Sequence, residues 1–129
     1  MPAPRKIRDL KVFVPSKDHQ LSKAFYQELG FQLNWQVEGL AELQAGEHRF
    51  LLQKYYQKDW AENFMFQLVV DDAQAWYDHI REAQLPDRYE TVRVAPPKDE
   101  PWGMKVVYLW GPAGELWHIS QPVPESEES

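Results

Sequence analysis

One pattern of apolar spacing runs along this chain twice, and such a duplication restricts the fold more than any single segment can. IRDLKVFV (7–14) alternates, with Leu10, Val12 and Val14 on one face and Asp9, Lys11 and Phe13 on the other. That predicts a half-buried strand, ended by Pro15. In DHQLSKAFYQELG, Leu21, Phe25 and Leu29 fall at i, i+4 and i+8, Asp18 suits an N-cap and Gly30 a C-terminal stop. An amphipathic helix over 18–29 is expected. Three further strands are expected at 32–37, 40–44 and 49–55, separated by Gly39 and by Ala45-Gly46-Glu47. The order is βαβββ.

The order then repeats. FMFQLVV (64–70) reads as a strand, and DDAQAWYDHIREA as a helix over 72–83 with Ala73, Trp76, Tyr77, Ile80 and Ala83 on one face. Strands are expected at 89–94, 104–110 and 115–120. FYQELGF and WYDHIRE occupy corresponding helix positions. Module one therefore covers about 7–55 and module two about 64–121, within one domain over 5–123. KYYQKDWAEN (54–63) is an aromatic connector that should be anchored. The acidic, Pro-broken end (124–129) is expected to be disordered.

Composition removes several functions. The 14 Lys and Arg lie scattered among 20 Asp and Glu, for a net charge of −6. No basic stripe for phosphates exists, so nucleic acid is not an expected partner. No apolar run approaches a membrane span, MPAPRKIRD lacks a signal-peptide core, and the absence of cysteine rules out disulfides and thiolate sites. A cytoplasmic protein is the simplest reading. There is no GxSxG elbow, Gly-rich phosphate loop or HExxH pair. Aromatic residues make up 14%, with six Trp; a small core needs fewer, and a surplus suits a ligand cavity or a dimer face.

FYQELGF, LVVDD, PWGMK and GPAGELWHI, in this order within two βαβββ units, resemble the vicinal oxygen chelate superfamily, the glyoxalase, bleomycin-resistance and extradiol dioxygenase group. The resemblance covers residues 7–121. It implies an α+β fold whose two modules curl into an incomplete barrel around a cavity. A homodimer is expected to cover the apolar surface and sheet edges that this leaves open.

Enzymes of the group hold a divalent metal on strands of the concave face. The resemblance puts one ligand slot four residues after Gly114, at His118, and the partner slots at Asp9 and Met65, with Gln53 a further candidate. A thioether does not suit the hard and borderline ions of these enzymes, and one imidazole with one carboxylate is too small a donor set. The slots thus read as degenerate, with no metal or other cofactor expected. His118 is left with three roles: ligation, hydrogen bonding to a ligand or to Asp9, or strand packing. His19, His48 and His79 read as solvated, and Asp71-Asp72 as a helix cap.

Alternation places Phe13, Gln67, Tyr108, Trp110 and His118 on the cavity side, and Trp60 and Trp102 join them as surplus aromatics able to touch a ligand. Two functions follow from the resemblance. One is a metal-free protein of the bleomycin-resistance kind that binds or sequesters an aromatic or amphipathic small molecule. The other is a glyoxalase-like lyase, isomerase or dioxygenase with an unusual ligand set. The missing ligands favour the first.

Overall fold

A computed structural model describes residues 6–124, so the acidic tail lies almost wholly outside the described residues. The elements are β1 (Phe13–Pro15), α1 (His19–Leu29), β2 (Gln32–Val37), β3 (Leu40–Ala45), β4 (His48–Gln53), the single turn α2 (Lys58–Ala61), β5 (Met65–Val69), α3 (Ala73–Glu82), the short α4 (Leu85–Arg88), β6 (Arg93–Val94), β7 (Lys98–Glu100), β8 (Met104–Trp110) and β9 (Leu116–Pro122). The helix caps follow the sequence. Asp18 accepts from the Leu21 N–H at 3.1 Å, and Gly30 takes the left-handed conformation, φ 118°, that a side chain resists. Asp72 caps α3 in the same way, accepting from Ala75 N–H at 3.0 Å.

The duplication extends to topology. Sheet one runs β1-β4-β3-β2 and sheet two β5-β9-β8-β6, with β7 also paired to β8. In each, the first strand lies parallel to the last, and the remaining pairs are antiparallel. The sheets do not close into a barrel. One core joins both modules: Phe25, Leu29, Leu43, Phe50 and Leu52 from the first meet Ile80, Val107, Leu109, Trp117 and Ile119 from the second. Trp117 is the hinge of this packing. Its ring stacks on Phe66 at 3.7 Å and meets Tyr26, Phe31 and Phe50 within 6 Å.

Three expectations need correction, and two short elements were not expected. Residues 7–12 form no strand; Leu10 is 85% exposed and Val12 also lies open, because only Phe13–Pro15 align with β4 residues Leu51–Gln53. The strand expected over 89–94 shrinks to Arg93–Val94, since the chain turns after α4, burying Tyr89 and Val92 against the core. The connector contains α2, and β7 was not foreseen at all. Among the histidines, His48 and His79 are exposed as expected, with His79 Nε2 2.8 Å from the Leu29 carbonyl oxygen, tying the two modules together, but His19 is buried, 3.0 Å from Ser16 Oγ.

Candidate functional site

Each sheet has a core face and an open face, and strand register fixes which residues share the open one. In sheet two, Gln67 pairs with His118 and His118 with Tyr108, making a row across β5, β9 and β8. A second row runs Met65, Leu116, Trp110, Arg93. Trp117 and Ile119, the alternate residues of β9, point into the core. The His118 and Tyr108 rings meet edge to face at 4.9 Å, Trp110 lies 6.4 Å beyond, and the Arg93 guanidinium sits 4.4 Å above the Trp110 ring. The result is a half-buried aromatic surface edged by a few polar groups.

Tyr108 is anchored rather than free. Its hydroxyl donates to Glu100 on β7, and that bond, followed by burial, pushes its pKa up to about 12. Near neutral pH it stays a neutral phenol. It can shape a pocket and stack, but it is a poor proton acceptor. His118 has Gln67 and Tyr108 as lateral neighbours and no carboxylate in its row.

Sheet one answers differently. The equivalent row, read from register, is Phe13, Leu51, Glu42, Trp35, the last reached through an irregularity at Asn34. Glu42 is only 4% exposed. Lys11 donates to it at 2.5 Å, Asn34 at 2.9 Å, and Arg49 stands 4.0 Å away while also bonding Asp9 at 2.8 Å. The bond from Lys11, then that from Asn34, lowers the Glu42 pKa, and the Arg49 bond does the same for Asp9. Both carboxylates are already engaged.

The residues singled out from sequence therefore separate. Gln67, His118, Tyr108 and Trp110 come together on one face. Phe13 lies half exposed in the equivalent row of the other sheet. Trp60 packs on Tyr55 and Phe64, and Trp102 is exposed in the turn between β7 and β8. Of the degenerate metal slots, Asp9 is held by Arg49 outside the strands, and Met65 faces Leu116 rather than His118. Gln53 pairs with Pro15, and its carbonyl takes the Ser16 hydroxyl. Among the described residues no three His, Asp or Glu side chains come close enough to share an ion. This donor set does not fit the family's metal.

Sequence reasoning missed Arg93, Glu100, Glu42 and Glu115. Glu115 is the least visible from sequence: it directly precedes β9, is wholly buried, accepts from Tyr26 at 2.5 Å and from the Ala113 N–H at 2.8 Å, and Tyr26 in turn accepts from Trp117 at 3.1 Å. Burial holds its carboxyl above the usual range. The only sequence signal was Gly111, where a Cβ would stand 2.6 Å from the Glu115 Cδ.

The sequence profile of the Glyoxalase/Bleomycin resistance protein/Dioxygenase superfamily matches residues 10–119, and the chain belongs to this family. Solved structures share the fold. A bleomycin-binding protein complexed with bleomycin is 23% identical, with a TM-score of 0.74 over 89% of this chain and 98% of that one. TnmS3, an antibiotic binding protein from Streptomyces sp. CB03234, is 22% identical, with a TM-score of 0.70 over 90% and 97%. Lactoylglutathione lyase from Agrobacterium tumefaciens is 17% identical, with a TM-score of 0.64 over 92% and 95%. Comparison with curated protein sequences gives no match.

Proposed function

We propose that residues 5–123 act as one cytoplasmic small-molecule binding domain of the bleomycin-resistance kind. The ligand lies on the open face of sheet two, without a catalytic metal. The observation that carries this is the row Gln67, His118, Tyr108 beside Trp110: aromatic area with a few convergent polar groups, which is the composition of a small-molecule site. A homodimer closes the site, because Met65 is 63% exposed and Val69 55% on a surface that a monomer leaves to water. The fold shared with bleomycin-binding and antibiotic-binding proteins adds support for an aromatic or amphipathic ligand.

The test is a titration of the purified protein with metal-free bleomycin, followed by tryptophan fluorescence, alongside elemental analysis and sedimentation. The proposal expects saturable quenching, a dimer, and no stoichiometric metal. A tightly held ion released by His118→Ala, or turnover of a hemithioacetal, would establish the lyase reading in its place.

A further inference from the structure

A second concavity lies where the modules meet. A cleft of about 370 Å³ is lined by Lys17 and Tyr56 from module one and its connector, and by Arg93, Trp110 and the Pro112–Gly114 turn from module two, with Glu62 and Thr91 at its sides. Both cations are supported in the same manner. The Lys17 ammonium lies 5.4 Å over the Tyr56 ring, and the Arg93 guanidinium 4.4 Å over the Trp110 ring. Neither forms an ion pair among the described residues, although acids outnumber bases in this chain. Two cations held on aromatic rings against one cleft keep their outward N–H groups free for an incoming acceptor.

We propose that this cleft binds a planar organic acid, its carboxylate held between Lys17 and Arg93 and its ring against the Tyr56 and Trp110 edges. Arg93 offers the paired N–H groups that match a carboxylate. Glu62 sets the finer preference. It lies against Gly114, its Cγ 3.2 Å from where a Cβ would project, and it also has no ion-pair partner among the described residues. A bare anion meets Glu62 as repulsion, whereas an acid carrying a hydroxyl or amino group on the ring, meta to its carboxylate, gives Glu62 a donor. The favoured ligand is therefore a hydroxy- or amino-substituted aromatic acid. Gly114, at φ 92°, lets the turn run close under the cleft where a side chain would fill it. The inference does not rest on the open face, with which the cleft shares Trp110 and Arg93.

Calorimetry and ¹⁵N–¹H correlation spectra at low ionic strength test it, with 3-hydroxybenzoate as probe and benzoate, acetate and benzylamine as comparisons. 3-Hydroxybenzoate should bind saturably and move the amides of Thr91, Arg93, Ala113 and Gly114, while Gln67 and Leu51 stay still. Arg93→Gln should weaken it by about tenfold, the loss of one charged bidentate contact. Glu62→Gln should narrow the gap between 3-hydroxybenzoate and benzoate, and acetate and benzylamine should bind far more weakly. Lys17 and Arg93 are exposed, so melting temperature should confirm that the variants fold. The proposal is overturned if 3-hydroxybenzoate does not saturate the protein, if benzylamine binds better, or if a Lys17→Gln, Arg93→Gln double variant binds 3-hydroxybenzoate unchanged. Shifts confined to Gln67, Tyr108 and His118 would overturn it too, while leaving the open-face reading intact.

Discussion

The two modules use the same strand order, yet they fill their open faces in opposite ways. Phe13, Leu51 and Glu42 make one row across β1, β4 and β3, and Gln67, His118 and Tyr108 make one across β5, β9 and β8. Module one spends its polar residues on each other: Lys11, Asn34 and Arg49 surround a buried Glu42, and Asp9 takes the other side of Arg49. Among the described residues, His118 and Gln67 of module two have no such side-chain partners, and the His118 ring meets that of Tyr108. Duplication preserves the backbone and the core face, because packing punishes change there. The open faces carry no such constraint, and one holds a satisfied polar network while the other presents aromatic rings.

The largest effect should come from the part that the modules share. Trp117→Ala removes the ring that touches both halves, and denaturant unfolding should show a loss of about 3–5 kcal/mol with a single transition retained. Two separate transitions would show that the modules fold apart.

Next comes the contrast itself. Glu42→Ala strands the ammonium of Lys11 and the amide of Asn34 and should cost about 1–3 kcal/mol. Tyr108→Phe on the matching strand of sheet two gives up one hydrogen bond whose acceptor, Glu100, can turn to water, and should cost about 1 kcal/mol or less. Equal losses would erase the distinction between a self-satisfied face and an open one.

A smaller effect, visible mainly as a pH trend, belongs to Glu115. Its folded pKa is raised by burial, so the folded state holds the proton that the unfolded chain gives up. The stability tied to its neutral form is present below the ordinary carboxyl pKa and is lost as pH rises above it. Glu115→Gln, which cannot ionise, should therefore gain in melting temperature relative to the parent as the pH rises above about 4. Asp9 and Glu42, with lowered values, contribute the opposite slope at the acid end. A difference that does not move with pH would mean that Glu115 is ionised in the fold.

Much of the fold was legible in local chemistry. The Asp18 and Gly30 signals bracket α1, and apolar spacing places β2 over 32–37 and β8 over 104–110. Alternation put Gln67 and His118 on the side away from Trp117. What could not be read were consequences of distant partners. Ile7–Val12 alternates as a strand should, but the parallel pairing with β4 aligns only Phe13–Pro15. Lys98–Glu100 has no apolar residue to announce it and exists because β8 offers an edge. Glu115 is a carboxyl, a group normally solvated, and only the convergence of Tyr26, Ala113 and Gly111 explains its burial. At the site, residue types were readable from sequence, while the pairing of His118 with Gln67 rather than Met65 needed the register.

The central claim is that module two, and not module one, presents the ligand face. It is tested most directly by ¹⁵N–¹H correlation spectra of the protein titrated with a panel of uncharged planar aromatic fragments, repeated with His118→Ala and Leu51→Ala, each in the last strand of its module. The account predicts saturable shifts at Gln67, Tyr108 and His118, with Leu51 and Glu42 unmoved. It also predicts a loss of affinity of about tenfold in His118→Ala and little change in Leu51→Ala. Shifts centred on Leu51 and Glu42, or an affinity indifferent to His118, would contradict it.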